Sequence, residues 1–121
     1  MNRIRITLAI AATIVLATLL IVPLAGARSS AAKATTVTVK MKEFKFILSR
    51  TRVPKGKITF VVINVGKINH DFKIKRLKTP AIKPGKRGKL VVTFTKAGRY
   101  PYLCVIGQHY KFGMKGVLKV T

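Results

Sequence analysis

Apolar positions divide the chain into two regimes. Ile6 to Val22 runs without a charge, whereas from Thr36 onward apolar residues recur at every second position. No helical period is sustained in that second regime, so it reads as strands. Val37, Val39 and Met41 share one face; the phase then slips, and Phe44, Phe46 and Leu48 continue on even positions. A one-residue slip turns side chains to the opposite face, which predicts a bulge or bend near Lys42-Glu43. Pro54-Lys55-Gly56 predicts a turn, the nearly all-apolar Ile58 to Ile63 a central strand, and Asn64-Val65-Gly66 its end. Phe72 and Ile74 make a short strand in phase with His70, and Pro80, Pro84, Gly85 and Gly88 mark a long irregular connection. Leu90, Val92 and Phe94 alternate, Ala97-Gly98 turns the chain, and Tyr100, Tyr102 and Cys104 line one face. Leu118 and Val120 point inward on the last strand. Short strands separated by turn signals predict an all-β sandwich. The roughly 86 residues from Thr36 to Thr121 suffice for a modest core.

The first regime has another origin. Arg3 and Arg5 precede the apolar run, Pro23 ends it, and Ala25-Gly26-Ala27 has the small-x-small form of a signal-peptidase site. Residues 1–27 are therefore expected to be a signal peptide; an uncleaved N-terminal membrane anchor is the alternative, since the run reaches the low end of the ~17–25 residues that span a bilayer. No cysteine adjoins the run, which excludes a lipoprotein, and the arginines are not adjacent, which favours general secretion over the twin-arginine route. Residues 28–35 are small and polar and read as a linker, leaving 36–121 as the folded domain. The expected location is outside the cytoplasmic membrane, periplasmic or extracellular.

Charge narrows the partners. The chain carries 25 Lys and Arg against two acids, Glu43 and Asp71, for a net charge of +23. Loss of Arg3 and Arg5 with a signal peptide takes that to +21. Such self-repulsion favours a monomer and steers the domain toward acidic proteins or anionic membrane and cell surfaces. Export, and the absence of any RNP motif, zinc finger or basic helix, argue against nucleic acid.

Cysteine usage supplies the chemistry. An exported domain with one cysteine, Cys104, cannot close an internal disulfide, and an unpaired thiol suggests a reactive or metal-bound group. Alone, Cys104 would read as a small buried hydrophobe. It is followed by His109 and Met114, each across four intervening residues, in a loop given freedom by Gly107 and Gly113. Thiolate, imidazole and thioether are three of the donors of a mononuclear blue copper site, which takes His, His and Cys with a weak axial Met. The fourth donor must be His70, the only other histidine. Zinc accepts Cys and His but has no use for a thioether.

The segments Phe60-Val-Val-Ile-Asn64-Val-Gly66 with His70-Asp71-Phe72, Ala97-Gly98-Arg-Tyr100-Pro-Tyr102-Leu-Cys104, and His109 with Gly113-Met114-Lys-Gly116-Val-Leu118-Lys-Val120 together resemble the cupredoxins, the small blue copper proteins. The resemblance spans 36–121, and the Cys-His-Met spacing is similar to that of rusticyanin, sulfocyanin and auracyanin more than to the shorter plastocyanin loop. It implies a Greek-key β-sandwich of about seven or eight strands, one type 1 copper ion held by His70, Cys104, His109 and Met114, and one-electron transfer between redox partner proteins, acidic or membrane-associated. Two positions depart from the pattern. Ile106-Gly107-Gln108 stands where many relatives carry Pro-Gly before the loop histidine, and Asp71 stands where an Asn ties the two ligand loops together. A carboxylate can accept a hydrogen bond from a backbone amide but cannot donate one to a thiolate. An exported copper-binding or copper-delivery protein is the alternative function. Multicopper oxidases and nitrite reductases need more than two histidines, and a dinuclear purple site needs two cysteines, so no enzyme is expected.

Overall fold

A computed structural model describes residues 34–121; the expected signal peptide or anchor and most of the 28–35 linker lie outside the described residues. The predicted alternation is realised in β1 (Thr35–Lys42), whose Val37, Val39 and Met41 are fully buried. The expected bulge or bend takes the form of a full chain reversal. β1 ends at Lys42, Glu43 and Phe44 turn, and β2 (Lys45–Leu48) returns antiparallel with Phe46 opposite Met41 and Leu48 opposite Val39. In a two-residue hairpin odd positions face even ones, so a reversal leaves the same one-residue slip in the sequence as a bulge.

The other strands are β3 (Arg52–Val53), β4 (Gly56–Asn64), β5 (Lys73–Ile74), β6 (Leu77–Lys78), β7 (Arg87–Phe94), β8 (Gly98–Leu103) and β9 (Lys115–Val120). One sheet has the order β2-β1-β4-β7, and the other β3-β9-β8-β5-β6. Both are mixed, because β1 runs parallel to β4 and β3 parallel to β9 while the remaining pairs are antiparallel. The chain crosses repeatedly between the sheets, as a Greek-key sandwich requires. β4 is central, flanked by β1 and β7, which is why its sequence is apolar on both faces: Ile58, Phe60 and Val62 fill the core, while Val61 and Ile63 are half-covered by neighbours.

Aromatic rings fill the space between the sheets. Phe72 lies 5.1 Å from Phe60 and 5.5 Å from both Phe46 and Tyr102, ring centre to ring centre. Phe60, Phe72 and Phe94 are essentially unexposed, and burying such a side chain contributes about 1.5–3 kcal/mol. What matters for function is the pairing of β5 with β8, which sets Lys73 opposite Leu103 and Ile74 opposite Tyr102. Continued toward the end of the sandwich, that register brings Asp71 level with Val105 and His70 beside the loop that follows Cys104. Among the described residues no helix is long and apolar enough to cross a membrane.

Candidate metal centre

His70 sits just before β5 and is held from both sides. Its N–H donates to Ile82 O (3.2 Å) and its carbonyl accepts from Ile82 N–H (2.8 Å). The approach to it, residues 65–69, is pinned by the buried Asn64, whose Nδ2 donates to Ile68 O and Ile82 O, each at 2.7 Å, and whose Oδ1 accepts from Gly66 N–H at 2.9 Å. Behind His70, Phe72 N–H donates to the Thr79 hydroxyl at 3.1 Å. The imidazole has no exposed surface, so its orientation is set by the protein rather than by water.

The second segment starts where β8 runs out of partners. Cys104 ends the inward-facing series Tyr100, Tyr102, Cys104, and its sulfur is fully buried in the core. The loop beyond it is short enough to be closed by its own main chain: Cys104 N–H donates to Met114 O (3.1 Å), Met114 N–H to His109 O (3.2 Å) and His109 N–H to Ile106 O (3.2 Å). His109 opens a 3₁₀ turn, His109–Phe112, which ends at Gly113 in the left-handed region (φ 108°). The missing Pro-Gly thus leaves the loop ordered by this turn instead. Phe44, at the β1–β2 reversal, packs against the His109 ring (5.1 Å) and Phe112 (5.0 Å).

Three of the four predicted donors therefore meet at one end of the sandwich, and the fourth, Met114, is tied to them through its main chain. Potential ligand atoms of His70, Cys104 and His109 all lie within 4.8 Å of one another. His70 Nδ1 is 3.3 Å from His109 Nδ1, and Cys104 Sγ is 3.5 Å from the same nitrogen. Met114 is buried in the same core and tied by its main chain to both Cys104 and His109. With metal–imidazole bonds near ~2.0–2.1 Å and metal–thiolate bonds near ~2.3 Å, separations of this order are those of side chains that could share one ion. Two imidazoles, a thiolate and a thioether are the donor chemistry of a type 1 copper site, and the arrangement fits that ion. Only His109 of the four reaches the surface; the other three are closed off.

Burial pushes the Cys104 thiol up, while the backbone amides of Asp71 and Ile106 pull it back toward the thiolate. A coordinating ion removes that proton outright. His109 is held below its ordinary value by burial and then by the neighbouring His70, so its nitrogen stays available. Asp71 ties the two loops: its buried Oδ1 accepts the Val105 N–H at 2.8 Å, and Oδ2 lies 3.8 Å from the exposed Lys78 Nζ.

Two further residues at the site escaped the sequence reading. Glu43 Oε1 is 3.0 Å from His70 Nε2, and Asn64 holds the loop before His70. The available signal was scarcity: with only two acids in so cationic a chain, each is placed for a reason, and both prove to lie at the metal end.

The sequence matches the cupredoxin-like domain family over residues 9–120. No curated protein sequence matches the chain. Among solved structures it is similar to the reduced auracyanin of the photosynthetic bacterium Roseiflexus castenholzii, with a TM-score of 0.62 and 21% identity over 72% of this chain and 97% of that one. Auracyanin A, a "blue" copper protein from Chloroflexus aurantiacus, gives 0.60 and 18% over 73% and 99%. An azurin of Methylomonas sp. strain J gives 0.59 and 16% over 72% and 98%. At these identities the structural likeness speaks for the fold, and the family match for membership. The chain belongs to the cupredoxin-like domain family.

Proposed function

We propose that the chain is a one-electron carrier working outside the cytoplasmic membrane, with one copper ion held by His70, Cys104 and His109 and, as the weak axial donor, Met114. The observation that carries this reading is the convergence of the imidazole and thiolate donors within 4.8 Å at one end of the sandwich. Bound copper would supply a single-electron couple. The protein's part is to hold donors that do not rearrange: the Ile82 bridge fixes His70, the main-chain bonds of the ligand loop fix Cys104, His109 and Met114, and the core encloses the thiolate. Around the His109 ring, Val105, Tyr110 and Phe112 are exposed while Ile106 packs inward, which makes an apolar contact patch. Weak redox encounters use small interfaces of this kind.

The +21 charge supports acidic or membrane-associated redox partners, or an anionic surface, and the N-terminal Arg-flanked apolar run supports export. A chain with two histidines, both used here, has none left for the further copper centres of an oxidase. Copper delivery needs donors that an acceptor can reach, and a site with three enclosed donors suits it poorly.

The test is to add Cu(II) to the purified protein. Intense absorption in the red, its loss in Cys104→Ala with the sandwich still folded by far-ultraviolet circular dichroism, and reversible reduction without loss of copper are expected. A Cys104→Ala variant that still turns blue would refute the site, and copper lost at each reduction would favour delivery.

A further inference from the structure

Among the described residues Glu43 has no lysine or arginine as an ion-pair partner, in a chain that carries 25 of them. It occupies the β1–β2 reversal, and a single oxygen, Oε1, accepts three hydrogen bonds: from Lys67 N–H (2.8 Å), Ile68 N–H (3.1 Å) and His70 Nε2 (3.0 Å). Gly66 makes room for this, because a Cβ there would overlap the carboxylate. A carboxylate can only accept, so the proton of that contact belongs to His70 Nε2. The lone pair of the fully buried His70 ring is then on Nδ1, the nitrogen that faces His109 Nδ1 at 3.3 Å. A carboxylate behind a ligating imidazole fixes its tautomer and raises its basicity.

We propose that Glu43 is a positioning residue for the metal centre: it holds His70 with Nδ1 toward the ion, and its charge favours the oxidised ion and lowers the reduction potential. This rests on the copper reading above. Asp71 acts differently, since its carboxylate meets a backbone amide rather than an imidazole.

Two variants separate charge from clamp. Glu43→Gln keeps an oxygen that can accept all three hydrogen bonds and removes only the charge; Glu43→Ala removes both. In the copper-loaded proteins, followed by spectroelectrochemical titration of the red absorption, Glu43→Gln keeps the colour and its potential rises. A tenfold loss of preference for the oxidised ion reads as about 59 mV for one electron. Glu43→Ala also weakens copper binding, by about 10- to 100-fold. In the apoprotein, nitrogen NMR of His70 shows the Nε2-protonated tautomer, and Glu43→Ala loses that preference. A blue wild type with an unshifted or lowered potential in Glu43→Gln, or a His70 protonated on Nδ1 in the wild-type apoprotein, overturns the role of Glu43 alone. A wild type that never turns blue overturns the copper reading and this role with it.

Discussion

The bond between Asp71 and Val105 is the direct tie between the two segments that carry the donors, and its worth can be worked from its geometry. Asp71 is 1% exposed, and its Oδ1 receives the Val105 N–H at 2.8 Å. Asp71→Ala removes a hydrogen bond to a charged acceptor, worth about 1.5–3 kcal/mol, and leaves the amide without its partner. Val105 itself is 37% exposed, so water can reach part of the vacated space, and a loss of about 2 kcal/mol is the reasonable expectation. For a domain of this size each kcal/mol moves the melting temperature by about 4–8 °C, so the apoprotein should melt about 8–16 °C lower. The contact to Lys78 contributes little, because that lysine is half exposed and 3.8 Å away; an exposed pair is worth about 0–1 kcal/mol. Lys78→Ala is therefore the control, and Asp71→Asn, which keeps an oxygen acceptor for Val105, should fall between the two. Thermal unfolding of the metal-free proteins by circular dichroism, at low and high salt, measures all three. Asp71→Ala melting within about 2 °C of wild type, or Lys78→Ala matching it, would refute the view that the amide bond and not the ion pair joins the loops.

Three other outcomes follow from the site and the surface. Met114→Leu should retain copper and raise the reduction potential, because the axial thioether is weak and tunes rather than holds; outright copper loss would make Met114 a principal ligand. Electron transfer to an acidic acceptor should slow steeply as salt rises, since attraction is screened over about 8–10 Å at ordinary ionic strength. Tyr110→Ser or Phe112→Ser should slow it without changing that slope, and a rate indifferent to salt would contradict electrostatic steering. Glu43 is lowered from 4.5 to about 2, chiefly by the Lys67 N–H, with His70 and Ile68 assisting against partial burial. The unfolded chain thus takes up the proton first, so this stabilisation is full above pH 4.5 and fades as pH falls toward about 2. Apoprotein melting temperatures should drop more across that window in wild type than in Glu43→Gln, and parallel curves would disprove the linkage.

Much of this architecture was legible in the residues. Period-two alternation identified the inward residues of β1, β7, β8 and β9, an unbroken apolar run marked β4 as central, and the rarity of Cys, His and Met in the chain isolated the donors. The inward phase of His70 with Phe72, and of Cys104 with Tyr102, placed both side chains on the core side, but the β5–β8 pairing that joins them is visible only in the structure. What was not legible has physical causes. The slip at Lys42-Glu43 is the same for a bulge and a two-residue reversal, and only the pairing partner of Phe46 distinguishes them. β3 and β6 have two residues each, too few to show a period. Glu43 contacts a ring 27 positions away across the sandwich end, and no local pattern encodes such a contact. Asn64 looked like a strand terminator, yet its side chain satisfies two carbonyls and one amide that sequence alone does not bring together.

The enclosure of His70, Cys104 and Met114, with only the His109 ring at the surface, has a kinetic consequence. A site with one doorway admits one visitor at a time. With the proposed apolar rim of Val105, Tyr110 and Phe112 as the contact surface, donor and acceptor would compete for it, and no ternary complex would relay an electron straight through. Throughput in a carrier built this way is bounded by how quickly each visitor leaves, and a tighter grip becomes a brake. Two-substrate kinetics should then be of the double-displacement form, with each partner inhibiting at high concentration by occupying the doorway in the wrong redox state.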